Sequence, residues 1–343
     1  MSNSSRLKSN DSAPEPKRQG VQRGRRVLLG LAAAGGLLGF AQNAVAQAFP
    51  SKPIRIVVAF APGGTSDVLG RHIAKQMSAQ IGQSVVIENK PGASGVIGAD
   101  FVAKAAPDGY TIGMINFSHA AIPAVTKTPY DLKDLTPISM IGTLPVLVSV
   151  NAAVPVKNLQ ELIAMARSKP GGLSYANAGT LTAGHLAMEM LKFQAGVDVV
   201  AVNYKGGGPA MNDLVAGQVQ IGAAGPTAHL PFIKAGKLRP IATTGPKRST
   251  ILPDTPTMSE SGLSGFDLND WYGMFAPPGT PAPIVAELNR QLVLALQAPE
   301  VRNSFATLGA EAGGSSPEEL ARFTASEMDK LRKLATSIKL KVE

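Results

Sequence analysis

The chain has 343 residues, a length that suits two domains better than one, and 44% of its residues are hydrophobic, which is enough for substantial cores. It has no cysteine, which excludes disulfides, zinc–thiolate sites, cysteine nucleophiles and a lipid-anchored N-terminal cysteine. The net charge of +9 exaggerates the basic character of the folded part, because the first 46 residues hold seven of the 33 lysines and arginines and two of the 24 acidic residues. The remainder carries +4 and has no basic run interleaved with aromatic residues, which argues against nucleic acid as a partner.

The first 46 residues have the layout of a secretory signal peptide. A polar, basic region ends at Arg25-Arg26, an apolar segment too short for a membrane span follows from Val27 to Phe40, and small residues occupy positions 44–46. We therefore expect a periplasmic protein, cleaved near Ala46. The arginine pair suggests twin-arginine export, but the residues after it match that pattern only in part, so the choice between the twin-arginine and Sec routes stays open.

The folded part opens with a strand–loop–helix unit from Ile54 to Met77. A short β-branched run predicts a buried strand, and apolar residues at helical spacing follow it. The loop between them contains Pro62, Gly63, Gly64, Thr65, Ser66 and Asp67. Glycines allow close backbone approach, and a helix N-terminus favours an anion. An anion-binding loop and a plain turn capped by Thr65 or Ser66 fit this stretch equally well.

Strand and helix patterns then alternate, which predicts βαβ units and parallel sheets. Strands are predicted at 84–88 and 110–115. The polar side chains of Asn116, Ser118 and His119 follow the second strand, at the sheet edge where ligands bind in open α/β folds. The pattern recurs in a second half, with Gly-rich or hydroxyl-bearing loops at 177–185, 203–208 and 225–227. Residues 271–275 read as a strand that returns to the first half, and Ser316 begins a final amphipathic helix.

The predicted fold is α/β with two lobes, each a mainly parallel sheet flanked by helices. Residues 47–149 and 270–343 form lobe 1, and residues 150–269 form lobe 2. The loops of the two lobes are expected to face each other across a cleft, which is a favoured ligand site and closes about a hinge.

Several longer segments together match a known family: PSKPIRIVVAFAPGGTSDVLGR, VIENKPGASGVIGADFVAKAAPDGYTI, LSYANAG followed by GHLAMEM, VVAVNYKGGGPAMNDLVAGQVQIG and IKAGKLRPIATT. In this order they resemble the Bug family, the periplasmic solute receptors of tripartite tricarboxylate transporters, from Phe49 to about Leu340. The resemblance implies a Venus flytrap fold that binds a small carboxylate through backbone N–H groups, hydroxyls and waters. It also implies membrane permease subunits as partners, no cofactor and no catalysis. A monomer is expected, since nothing reads as a heptad.

Carried over by position, the resemblance implies a set of ligand-binding residues in the facing loops. They are Gly63, Gly64, Thr65, Asp67, Ser118, His119, Asn177, Ala178, Gly179, Thr180, His185, Tyr204, Lys205, Gly206 and Trp271.

Three positions depart from what many members of the family carry. Asn177-Ala178 replaces two serines, residues 223–226 (Ala-Ala-Gly-Pro) replace an acidic residue and an asparagine, and Phe117 replaces a small residue. The first two changes remove polar groups and the third adds apolar bulk, so Phe117 joins the predicted site. We expect a ligand with an apolar or aromatic part as well as a carboxylate.

Some of these residues have plainer interpretations that the sequence leaves open. His185 could tie its loop to the following helix, Lys205 could be a solvated lysine on the cleft rim, and Trp271 is more typical of core packing. His119, at a strand end, is a slightly better ligand candidate. Asp67 would repel a carboxylate and is better suited to binding the N–H groups of its own loop.

Two enzyme classes and one signalling role compete with the receptor hypothesis. A secreted hydrolase could use Ser118 with His119, or Thr182 with His185, but there is no G-x-S-x-G motif. A dinucleotide- or phosphate-binding enzyme is a second alternative, but this sequence lacks both the G-x-G-x-x-G motif and the P-loop lysine. A metal site would need an improbable gathering of carboxylates. A sensor for a membrane signalling partner is compatible with the receptor fold.

Overall fold

The computed structural model describes residues 49–338; the predicted signal peptide lies outside them. The strands are β1 (Ile54–Val58), β2 (Val85–Asn89), β3 (Thr111–Asn116), β4 (Thr136–Pro145), β5 (Leu147–Asn151), β6 (Ser174–Asn177), β7 (Val200–Asn203), β8 (Ile221–Ala224), β9 (Leu238–Thr243), β10 (Asn269–Ala276) and β11 (Glu311–Ala312). The α-helices are α1 (Thr65–Ile81), α2 (Val96–Ala103), α3 (Phe117–Val125), α4 (Leu159–Ser168), α5 (Ala183–Ala195), α6 (Gly207–Val215), α7 (Pro226–Lys234), α8 (Ala282–Gln297), α9 (Pro299–Thr307) and α10 (Pro317–Ser337). Short 3-10 helices cover Ala93–Gly95 and Leu132–Asp134.

Two sheets divide these strands between two lobes. The lobe 1 sheet has the order β11-β4-β10-β3-β1-β2, and the lobe 2 sheet has the order β7-β6-β8-β5-β9. The expected two-lobed α/β fold is therefore present, but the sheets are mixed rather than mainly parallel. Strand β10 runs antiparallel to both β3 and β4, and β5 runs antiparallel to β8 and β9. These antiparallel strands lie next to the points where the chain passes from one lobe to the other.

The chain passes between the sheets at two adjacent points. It leaves lobe 1 between Pro145 and Leu147 and returns between Thr243 and Asn269. Thr244 joins the two crossings, because its Oγ1 accepts a hydrogen bond from the Val146 N–H at 2.9 Å and donates to the Leu268 carbonyl at 2.5 Å. A fully buried threonine thus connects the two crossings.

Strand β10 positions the site because successive side chains on a strand face opposite sides of the sheet. Trp271 packs edge-on against Phe323 of α10, with ring centroids 5.5 Å apart. Tyr272 joins the core that α1 and α8 form on the other face. Asp270 shares the Tyr272 side of the strand, facing the cleft.

Helix starts follow local chemistry. Ser316 caps α10, accepting from the Glu319 N–H at 3.2 Å while its own N–H donates to the Glu319 carboxylate at 2.8 Å, which confirms the predicted start of the last helix. Among residues 49–338, none of the helices combines the length and apolar character that a membrane span requires.

Candidate functional site

A cavity of about 50 Å³ lies between the two lobes. Its walls are mostly glycine, alanine and hydroxyl-bearing residues. Lobe 1 contributes Phe60, Gly64, Thr65, Ser66, Asn116, Asp270 and Tyr272. Lobe 2 and the crossing strand contribute Val146, Ala178, Thr182, Ala183, Gly184, Gly207, Ala223, Ala224, Gly225 and Ala228. The cavity has room for a few water-sized groups, such as a carboxylate and a short chain.

Four helix N-termini meet at this cavity. Helices α1, α6 and α7 begin after Gly64, Gly206 and Gly225, and none of these glycines offers a side-chain cap. Helix α5 begins after Thr182, which caps it. The first N–H groups of a helix lack intrahelical partners, and the helix dipole makes that end positive. The cavity can therefore hold an anion without any basic side chain: of the described residues that line it, none is lysine, arginine or histidine.

The lobes touch through backbone at the lip of this cavity. The Ala61 N–H donates to the Lys205 carbonyl at 3.3 Å. A Cβ at Gly208 would lie 2.3 Å from the Pro62 carbonyl oxygen, and one at Gly206 would lie 2.8 Å from the Ala61 nitrogen. Only glycine at these positions allows the two loops to meet as closely as they do.

A second interlobe contact joins Gly179 to Ser94. A Cβ at Gly179 would lie 2.7 Å from the Ser94 Oγ, and Gly179 has a φ of 138°. Ser94 and Leu181 adopt left-handed backbone, with φ of 53° and 61°. Such strain in non-glycine residues concentrates at ligand sites, where the surrounding structure enforces it.

Asp67 holds the first loop rather than facing a ligand. Its Oδ2 accepts from the Gly63 N–H at 3.1 Å and from Arg71, while its Oδ1 accepts from Arg71 and from Asn89. Burial opposes ionisation of this carboxyl, but the hydrogen bonds from Arg71, Gly63 and Asn89 outweigh it and lower the pKa of Asp67. The alternative role considered for Asp67, binding its own loop, is the one the geometry shows.

Asp270 and Tyr272 form a buried pair beside α1. The Tyr272 hydroxyl donates to the Asp270 Oδ2 at 2.5 Å, and the Trp271 N–H donates to Oδ1 at 3.0 Å. Burial raises the pKa of Asp270 to about 7, against the opposing effect of these two hydrogen bonds. Burial and the Asp270 charge raise the pKa of Tyr272, while hydrogen bonding with the hydroxyls of Ser66 and Thr65 acts in the other direction.

Six expected ligand contacts of lobe 1 lie outside the cavity wall: Gly63 and Asp67 of the first loop, and Phe117, Ser118, His119 and Trp271. Asn116 ends β3 and caps α3 together with His119, whose Nδ1 lies 2.7 Å from the Asn116 Oδ1. This capping box turns Phe117, Ser118 and His119 into the core, where each is at most 2% exposed. Burial lowers the pKa of His119 to about 4. Trp271 faces α10, on the side of β10 away from the cavity.

The expected residues of lobe 2 divide in the same way. Ala178 lines the cavity, and Gly206 begins the helix that lines it. The Asn177 Oδ1 accepts a hydrogen bond from the Gly179 N–H at 2.8 Å, and Asn177 lines a separate cavity of about 10 Å³. His185 packs near Tyr175, and burial is the main cause that lowers its pKa.

Residues 180 and 204–205 are not among the residues that line the cavity. Thr180 is half-buried and Lys205 is exposed, although its carbonyl joins the lobes. The Tyr204 hydroxyl donates to Asp213 at 2.7 Å, and burial together with this bond raises the pKa of Tyr204 to about 12.

Several lining residues were not among the predicted ligand contacts: Ser66, Asn116, Thr182, Gly225, Asp270 and Tyr272. The alternation of a strand around Trp271 could have indicated the last two, since a buried tryptophan on one face places both neighbours on the other.

The family model described as the tripartite tricarboxylate transporter family receptor matches residues 69–340. The chain belongs to this receptor family. Protein BugT of Bordetella pertussis is 36% identical over 297 residues, which cover 85% of this chain and 91% of BugT.

Solved structures of similar sequence share the fold. Rpa4515 of R. palustris, solved with adipate, is 36% identical with a TM-score of 0.82, covering 85% of this chain and 98% of that one. MatC (Rpa3494) of Rhodopseudomonas palustris, solved with bound malate, is 34% identical with a TM-score of 0.80, covering 83% and 99%. The family resemblance expected from the sequence motifs is confirmed, and the two-lobed receptor fold with it.

Proposed function

We propose that this protein is a periplasmic solute receptor that binds a small carboxylate in the cavity between its lobes and delivers it to the permease of a tripartite tricarboxylate-type transporter. The observation that carries the proposal is the convergence of four helix N-termini on one interlobe cavity. Such an array complements a carboxylate through main-chain N–H groups and needs no basic side chain. Rpa4515 and MatC, which hold adipate and malate, support this ligand class.

The ligand-binding set that we propose follows the cavity wall. Gly64, Thr65, Ser66, Thr182 and the first turns after Gly206 and Gly225 provide N–H and hydroxyl groups for the carboxylate. The apolar part of the ligand would meet Phe60, Ala178, Ala223 and Ala224. We therefore still expect a partly apolar ligand. The expectation now depends on the three alanines and Phe60, because Phe117 lies in the core.

The geometry gives no support to the hydrolase alternative. The Ser118 hydroxyl donates to the Asn116 Oδ1 at 2.8 Å, and both Ser118 and His119 are fully buried. Thr182 donates to the Gly179 carbonyl and accepts from the backbone N–H of His185, so its hydroxyl is engaged in capping a helix. Neither pair presents a nucleophile with a base to the cavity.

A thermal-shift screen of the exported protein against aliphatic, aromatic and tricarboxylic acids tests the proposal. A ligand present at about 100 times its Kd stabilises the folded state by about 3 kcal/mol, which raises the Tm by several degrees. The matched control is the primary amide of each acid, which keeps the shape and removes the charge. We expect the acid to shift the Tm and the amide to leave it unchanged. Equal shifts by both compounds, or recovery of a chemically altered acid, would contradict a carboxylate receptor.

Location, delivery and assembly complete the proposal. We propose cleavage of the signal peptide near Ala46 and action as a monomer, with the closed lobes presenting a surface to the permease. A sensory role for the closed form would use the same ligand and the same closure. Uptake of the identified acid by cells lacking this protein tests delivery: loss of uptake is expected for a transport receptor, and unchanged uptake is expected for a sensor.

A further inference from the structure

Asp270 places an ionisable acid inside a cavity otherwise built to attract anions. It is 8% exposed and lines the cavity that holds the helix N-termini of α1, α5, α6 and α7. A ligand carboxylate bound there would therefore meet a second carboxyl group in a confined space. Two carboxylates in contact cannot both stay ionised, and one shared proton is the usual solution.

Within residues 49–338, the surroundings of Asp270 supply no cation to relieve this repulsion. Its two hydrogen-bond partners are the neutral Tyr272 hydroxyl and the Trp271 N–H. On α1, Asp67 is engaged with Arg71, and Thr65 and Ser66 are uncharged hydroxyls. On α3, His119 is buried beside Asn116 and its pKa of about 4 keeps it neutral above that pH. Among the described residues, no charged side chain contributes to the raised pKa of Asp270.

The hydrogen bonds leave Asp270 able to donate toward a ligand. Each carboxyl oxygen has two lone-pair positions, and the bonds from Tyr272 and Trp271 fill one on each oxygen. A proton from solvent can therefore occupy a remaining position and be donated to a bound carboxylate while both existing bonds persist.

We propose that Asp270 is a specificity-determining residue that binds a ligand carboxylate by sharing one proton with it, so that each carboxylate enters the cleft together with one proton. This inference rests on the proposed carboxylate-receptor function and goes beyond it. It assigns the cleft to ligands that present a hydrogen-bond acceptor at Asp270, and it makes an ammonium group at that position a poor fit.

Titration calorimetry of the exported wild-type protein with adipate tests the proposal directly. Repeating the titration near pH 8 in buffers of different ionisation enthalpy counts the protons taken up, and we expect about one proton per adipate because Asp270 is then mostly ionised before binding. The affinity should fall about 30-fold from about pH 6 to about pH 8.5, as the neutral fraction of a group with a pKa near 7 declines. This count needs no variant.

Two variants and one matched ligand sharpen the test. Asp270→Asn donates permanently, so its adipate affinity should not vary over this pH range and should exceed that of the wild type about tenfold or more near pH 8.5. Asp213→Asn alters the Asp–Tyr pair with Tyr204 outside the cavity and should keep the wild-type proton uptake. The matched ligand is 6-aminohexanoate, which has an ammonium group in place of one adipate carboxylate.

The outcomes separate this inference from the proposed function. Adipate binding with no proton uptake and no pH dependence would overturn the role of Asp270 and leave the carboxylate receptor intact. Tighter binding of 6-aminohexanoate than of adipate, lost in Asp270→Asn, would overturn it in favour of a residue that recognises a cation. Absence of binding by adipate and by every other carboxylate, in wild type and variant at all pH values, would overturn both proposals.

Discussion

Replacement of Gly208 by alanine should prevent closure of the lobes while leaving each lobe folded. Gly208 lies in the first turn of α6, where an alanine backbone is unstrained and alanine is the better helix former. The added Cβ would lie 2.3 Å from the carbonyl oxygen of Pro62 in the other lobe. Because the obstacle is backbone on both sides, no side chain can turn away to relieve the contact.

The size of the effect follows from this overlap. The loops at Pro62 and Gly208 must separate by about 1 Å to restore an ordinary contact. Forced overpacking of this kind typically costs about 1–3 kcal/mol. We expect the cost to fall on the conformation in which these two loops touch, so that it appears as a loss of ligand affinity. We expect the Kd to rise about 5- to 150-fold. The free energy of unfolding of the unliganded protein should stay the same or rise slightly.

Calorimetric titration with the best acid from the thermal-shift screen measures the affinity, and small-angle scattering with and without that acid measures closure. Asn212→Ala, one turn along the same helix on its exposed side, is the matched control and should bind like the wild type. If Gly208→Ala bound with unchanged affinity and compacted normally with ligand, the interlobe contact would play no part in the bound state.

Three further substitutions probe the charge, the loop and the hinge. Because the folded-state pKa of Asp270 is raised, the free energy of unfolding of the unliganded wild type should fall by up to about 4 kcal/mol between about pH 4 and pH 7. Urea melts measure this change, and Asp270→Asn should show little of it. Asp67→Asn removes a buried partner of Arg71 and should lower the free energy of unfolding by about 1–3 kcal/mol in the same assay. The control Asp329→Asn, at an exposed ion pair, should lower it by under 1 kcal/mol. Equal losses would contradict the role of Asp67 in holding the loop. Thr244→Val keeps the shape but leaves the Val146 N–H unpaired, so a loss of about 1–3 kcal/mol is expected, and an unchanged melt would show that water replaces the bond.

The sequence predicted most of the elements and the two-lobed α/β fold, because strand and helix patterns are local. It did not predict helix α3, where only polar groups after a strand were expected. The first strand–loop–helix unit lies where the spacing of apolar residues puts it, and the last helix begins at Ser316 as expected. The sequence did not predict which neighbouring strands run parallel and which run antiparallel. Strand β10 lies between β3 and β4 and runs against both, a pairing that joins segments more than 100 residues apart. Nothing local in residues 269–276 encodes which way a neighbouring strand runs.

The site was predictable where backbone builds it and unpredictable where packing decides which way a side chain points. Gly64, Gly206 and the helices that follow them form the cavity because glycine before a helix has a direct physical meaning. From its position at the end of β3, His119 looked as available for ligand binding as these glycines. It is buried because Asn116 uses it to cap α3, and a capping box involving histidine is not evident from spacing alone.

The way the cavity is built separates two properties of the ligand. Main-chain N–H groups from four helices attract a negative charge whatever side chains surround them, so substitutions in the wall alter the shape of the ligand that fits before they alter its charge. Among the described lining residues only Asp270 carries a carboxyl group. It lies on β10, where the chain re-enters lobe 1 just after the crossing tied by Thr244. A change of protonation at Asp270 therefore acts where the two lobes join, and ligand charge, proton uptake and closure should vary together in variants of this strand.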